Sequence, residues 1–176
     1  GIADTSIDED ATTLSLSASF ADVDVGDTLT YTMSGAPSTI SIDSATGAIT
    51  GTPVNADVGA HTITVTATDD GTGTLSATDE FVLTVVNVND APTVSTAISD
   101  TSINEDATTL SLSASFADVD VGDTLTYTMS GCPSTISIHS STGAITGTPV
   151  NADVGASTCT VTATDDGTGT LSADDV

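Results

Sequence analysis

Phe81-Val-Leu-Thr-Val-Val-Asn-Val-Asn-Asp-Ala-Pro-Thr-Val-Ser-Thr96 organises this 176-residue chain. Phe81, Leu83 and Val85 alternate with Val82, Thr84 and Val86 in a β-branched, apolar run that reads as a strand. The run turns polar at Asn87, Asn89 and Asp90, and Ala91-Pro92 holds the backbone extended. From Thr93 an extended alternation resumes. Strand, cluster of side-chain oxygens, proline, strand is how one β-domain passes the chain to the next.

Self-comparison turns that handover into a repeat. Ile7 recurs as Ile103, Gly26 as Gly122, Tyr31 as Tyr127, and Thr46–Pro53 as Thr142–Pro149, always 96 residues apart. Residues 1–80 and 97–176 differ at only ten positions. The expected domains are 1–90 and 91–176, each the size of one β-sandwich. Within the first repeat, Leu14, Leu16, Ala18 and Phe20 share one strand face, Leu29, Tyr31 and Met33 another, and Ile63, Val65 and Ala67 a third. Short strands at Ile40–Ile42 and Ala48–Gly51, an edge strand at Gly1–Ile7 and a closing strand at Glu80–Val88 bring the total to seven. The expected fold is all-β: tandem seven-stranded Greek-key sandwiches of the Ig-like kind. The second repeat lacks the counterpart of Phe81–Asp90, its last strand. One reading is an excerpt of a longer array. The other is a head-to-tail polymer in which a neighbour completes the open sheet by strand complementation.

The chain has 25 Asp and Glu, no Lys or Arg, and a formal charge of −25. No carboxylate can pair with a basic side chain, so each depends on water, a backbone N–H or a cation. Self-repulsion works against the compact state. Nucleic acid and anionic membranes, which need a basic face, are excluded as partners. No apolar run is long enough to span a bilayer as a helix.

The acids gather at strand ends: Asp8-Glu-Asp10, Asp22-x-Asp24-x-x-Asp27, Asp69-Asp70, Asn87-x-Asn89-Asp90, and their second-repeat equivalents. Loop acids often only cap turns. Many oxygens without thiol or imidazole, however, form a hard-cation donor set, and Ca²⁺ tolerates irregular geometry better than Mg²⁺. At these residues the chain resembles bacterial cadherin-like domains, close to the dystroglycan-type cadherin and Ig-like modules of surface adhesins. Asn87-Val-Asn-Asp-Ala-Pro92 resembles the cadherin linker, Ala117-Asp-Val-Asp-Val-Gly122 the DxD element, and Val161-Thr-Ala-Thr-Asp-Asp-Gly167 the later aspartate motif. Glu9 stands where the family has an early glutamate. The resemblance implies a Ca²⁺ cluster at the junction, held by Glu9, Asn87, Asn89 and Asp90 of the first repeat with Asp118, Asp120 and Asp165 of the second. The corresponding acids Asp22, Asp24, Asp69 and Glu105 complete the expected metal-ligating set. The LDRE-type element of animal cadherins is replaced by Thr52–Val58, where only Asp57 could stand in, so fewer ions per junction are expected here.

Cys132 and Cys159 replace Ala36 and Ile63 of the first repeat and are the only cysteines. Two Cys among ten differences point to a disulfide that pins the loop after the third strand to the penultimate one. Closing that loop would contribute roughly 3–4 kcal/mol and implies an oxidising compartment. The alternative is two small buried thiols. His61 and His139 occupy non-equivalent positions and read as surface residues. No nucleophile motif is present, and no catalytic residue is expected. The favoured function is a calcium-rigidified spacer of an extracellular or cell-surface adhesin or fibre, whose partners are neighbouring repeats. A self-assembling filament subunit and a carbohydrate-binding module are the alternatives, the latter opposed by the scarcity of aromatic rings.

Overall fold

The computed structural model describes all residues except 12, 25 and 107–109. The chain divides into two compact units, Gly1–Val88 and Asn89–Val176. Asn89 and Asp90, read from the sequence as the end of the first repeat, fall in the second unit.

The first unit has seven strands: β1 (Thr5–Asp8), β2 (Leu14–Ser17), β3 (Leu29–Ser34), β4 (Ile40–Ile42), β5 (Ala48–Gly51), β6 (Gly59–Asp69) and β7 (Ser76–Val86). One sheet runs β1-β7-β6-β3 and the other β2-β5-β4, an all-β sandwich. β7 lies antiparallel to β6, with Ile63 opposite Phe81, and parallel to β1, with Ile7 opposite Val85. Period-2 alternation turns one face of each strand inward. Ile63, Val65, Phe81, Leu83 and Val85 are all 2% exposed or less, and they meet Leu14, Ile40 and Ile49 of the opposite sheet. Burying each such side chain is worth about 1.5–3 kcal/mol, which makes β6 and β7 the main source of core. β7 starts four residues before the expected Glu80, because Ser76–Asp79 pair with β6 although they carry no apolar alternation. The connection Thr52–Gly59 contains one 3-10 turn, Asn55–Asp57.

The second unit contains β8 (Thr93–Thr96), β9 (Leu110–Ser113), β10 (Ser115–Ala117), β11 (Thr126–Ser130), β12 (Ile136–Ile138), β13 (Ala144–Gly147), β14 (Thr160–Thr164) and β15 (Ser172–Asp175). They form sheets β11-β14-β15, β12-β13-β9 and β10-β8. β15 corresponds to the first four residues of β7. The buried apolar cluster here is Ala114, Ile145 and Val161, with half-buried neighbours such as Leu112, Tyr127 and Ile136. Cys132 and Cys159 form a disulfide, Cα to Cα 4.8 Å, linking the turn after β11 to the residue before β14.

Short polar ties hold the turns. Asp43 Oδ1 accepts the hydroxyl and N–H of Thr46 and the N–H of Ala45, which hold its carboxyl below the usual 3.8. Asp153 is lowered likewise by the Val150 N–H and the Thr135 hydroxyl. A lowered carboxyl stabilises fully above pH 3.8 and loses that contribution as pH falls through its folded value. Thr135→Val should therefore lower the second unit's melting temperature at pH 7. The deficit should shrink as melts are repeated below pH 3.8. A deficit that persists undiminished in acid would contradict this.

Candidate metal centre

Three segments of the second unit converge: the linker residues Asn89–Asp90, the loop Asp118–Asp123 and the β14–β15 hairpin. Asp118 Oδ1 accepts the Asp120 N–H at 3.0 Å, a local turn that brings the two carboxylates onto one side. Asp120 Oδ2 accepts the Asp90 N–H at 2.7 Å. Asp165 Oδ1 accepts N–H groups of Gly167 and Leu171, and its Oδ2 accepts from Asn89 Nδ2 at 3.2 Å. Asp120 and Asp165 are each 4% exposed. One carboxylate oxygen from each of Asp118, Asp120 and Asp123 lies within 4.8 Å of the others.

The donor supply runs short inside this cluster. Among the described residues, Asn89 Oδ1, Asp118 Oδ2 and Asp123 Oδ2 are buried atoms with no hydrogen-bond partner. Burial first, then the charges of Asp120, Asp166, Asp118 and Asp165, push the Asp123 carboxyl above its usual range. Gly167 lets these side chains pack directly against its backbone: a Cβ there would overlap Asn89 Oδ1 and come within 2.5 Å of Asp123 Oδ2. Orphaned carboxylate and amide oxygens crowded together, in a chain without Lys or Arg, fit a divalent cation with oxygen preference.

The first unit repeats part of this geometry. Asp22 Oδ1 accepts the Asp24 N–H, and Asp69 Oδ1 accepts N–H groups of Gly71 and Leu75. Burial, followed by Asp22, Asp24, Asp70 and Asp69, raises the Asp27 carboxyl. Asp22 and Asp24 are exposed, whereas Asp118 and Asp120 are half-buried and buried.

Glu9 is 1% exposed; its Oε1 accepts the Val88 N–H and its own N–H reaches Val86 O, all within the first unit. Glu105, in the near-identical sequence Asn104-Glu-Asp106, is exposed. Asn87 is exposed. Asp57 accepts the Thr39 hydroxyl at 2.6 Å and the Val54 N–H at 3.1 Å, which makes it a turn-holding acid. Asp70 and Asp166 serve similarly, each taking the N–H and hydroxyl of a threonine, Thr28 or Thr124. Asp123 and Gly167 were absent from the expected ligand set. The spacing Asp118-x-Asp120-x-x-Asp123 was the available signal for the first.

Residues 3–86 and 91–175 each match the family described as Putative Ig domain, and the chain belongs to that family. It is 38% identical over 138 residues to a serine-rich adhesin for platelets of Staphylococcus aureus, a match covering 78% of this chain. It spans only 10% of that relative's length. Among solved structures it is similar to mouse cadherin-23 repeats EC22–24, with TM-score 0.62 and 23% identity over 84% of this chain and 50% of that one. Drosophila N-cadherin EC1–4 gives TM-score 0.63 and 20% identity over 98% and 46%. The cadherin likeness is one of fold. The family and the adhesin relatives place the chain among repeats of extracellular or cell-surface proteins.

Proposed function

We propose that the chain is a calcium-rigidified spacer of an extracellular adhesin, a mechanical rather than a catalytic part. The observation that carries this is the orphaned oxygen cluster of Asn89, Asp118 and Asp123 over Gly167. Asp118, Asp120, Asp123 and Asn89 would hold the ion, and Asp165 would position Asn89 beside it. The bound cation supplies positive charge in a chain that has no Lys or Arg. It neutralises the repulsion within the cluster and ties Asn89 and Asp90 to the body of the second unit. Since the Val88 N–H is already held by Glu9, that tie removes freedom from the segment joining the units. The adhesin relatives support the extracellular setting, as does the disulfide.

The carbohydrate-binding reading has less support. Phe20, Tyr31, Phe81, Phe116 and Tyr127 are all buried or half-buried, and Tyr31 and Tyr127 pack against Phe20 and Phe116 at 6.1 and 6.0 Å.

Spin labels placed on exposed Thr13 of the first unit and exposed Ser137 of the second test the spacer reading. The distance distribution is expected to narrow when Ca²⁺ replaces chelator. An unchanged width would defeat the rigidifying role even where calcium binds.

A further inference from the structure

Two neighbouring acids follow β14 in the second unit, and they have different tasks. Antiparallel pairing sets Thr126 of β11 opposite Thr164 of β14, and the same register carried two residues further sets Thr124 opposite Asp166. Strand alternation sends Asp165 inward and Asp166 outward. Asp165 is 4% exposed, and Asp166 and Thr124 lie on the surface. There the Asp166 carboxylate stands in for strand pairing. Its Oδ1 accepts the Thr124 N–H at 2.7 Å and its Oδ2 accepts the Thr124 hydroxyl at 2.6 Å. Hydrogen bonds to an ionised acceptor are stronger than neutral ones.

This clasp fixes the residue before it. Asp123 donates its own N–H to Asp120 O at 3.3 Å, and the next N–H along the chain is the one held by Asp166. Both peptide groups of Asp123 are therefore tied down. Its carboxylate lies within 4.8 Å of those of Asp118 and Asp120, with Oδ2 buried and lacking a donor. The first unit builds the same clasp beside Asp27, where Thr28 donates its N–H and hydroxyl to Asp70, each at 2.7 Å.

We propose that Thr124, fastened by Asp166, is a positioning residue that sets the cluster's affinity for calcium and its preference for calcium over magnesium; the inference rests on the calcium reading above. Ca²⁺ takes oxygens at about 2.3–2.6 Å in irregular arrangements, whereas Mg²⁺ demands a near-octahedral set at about 2.0–2.1 Å. A carboxylate whose backbone is held on both sides offers the larger ion a ready donor and resists closing onto the smaller one. Thr124 acts through Asp123, since its own N–H and hydroxyl hydrogen are engaged by Asp166.

Amide NMR titrations of the intact chain with calcium chloride and, separately, magnesium chloride test this. Thr124→Val keeps every charge and removes one bond of the clasp. It is expected to weaken calcium binding by about tenfold, as for loss of a bond that orients a metal donor, and magnesium binding by less, so that the preference falls. Thr124→Ser restores the hydroxyl and should recover both affinities. Asp166→Ala releases both Thr124 donors, and the charge it removes weakens two divalent cations alike, so a fall in preference again reports positioning. Melts in chelator check that each second unit folds, and should Thr124→Val not fold, Asp166→Ala carries the test. Unchanged calcium affinity, equal losses for both cations, or no rescue by serine would each overturn the proposal while leaving the calcium site standing. If the unmodified chain bound no calcium, the site and the proposal would fall together.

Discussion

Calcium at about 10 mM is expected to raise the second unit's melting temperature by on the order of 10 °C over the same chain in chelator, given the ~10⁻⁴–10⁻³ M affinities of extracellular modules and the coupling of binding to stability. Magnesium at the same concentration should give a much smaller shift, since it demands near-octahedral geometry and keeps its water. The decisive variant is Gly167→Ala. Gly167 does not need a glycine-only backbone angle, but an alanine methyl there would overlap Asn89 Oδ1 and crowd Asp123 Oδ2, so it forces the Asn89 side chain out of the cluster. The variant should fold in chelator and lose the calcium shift. A full shift in Gly167→Ala would move the ion away from this cluster. No shift in the unmodified chain would leave the acids as solvated loop ends.

Replacing Cys132 and Cys159 by the first repeat's Ala36 and Ile63 should have the other large effect. Opening a bridge with a sequence separation of 27 costs roughly 3–4 kcal/mol in the chain-entropy model, on the order of 15 °C in a unit of this size. The effect is aggravated because the second unit's buried apolar cluster is smaller than the first unit's. Isoleucine at 159 returns some apolar volume, so the double alanine variant should fall further. Two-transition calorimetry checks both, with the first unit's transition as an internal reference. A second transition that stayed within a few degrees would show the bridge to be energetically idle.

Much of the first unit was legible in sequence because each core strand alternates cleanly, and a one-residue slip would turn Phe81, Leu83 and Val85 outward. The early half of β7 was not, since Ser76-Ala-Thr-Asp79 carries no inward apolar series and is held by pairing with β6 and by the Ile2 N–H donated to the Asp79 carboxylate. The candidate site was legible as chemistry but not as geometry. Spacing marks Asp118, Asp120 and Asp123 as neighbours, but which oxygens end up buried without a donor depends on Asn89 arriving from the linker. Glu9 and Glu105 make the same point. With near-identical local sequence, Glu9 is buried with its carboxylate on the Val88 N–H and Glu105 is exposed, so local sequence does not decide burial.

The disulfide has a consequence for a spacer placed under tension. A pulled strand unravels by paying out extended backbone at about 3.3–3.6 Å per residue. The Cys132–Cys159 bridge spans 27 residues between Cα atoms 4.8 Å apart, so roughly 90 Å of that length stays locked behind a covalent bond. The first unit has no such stop. An array built of both kinds of repeat would yield in long and short steps, and its reach under load would depend on whether its surroundings keep the bridge oxidised.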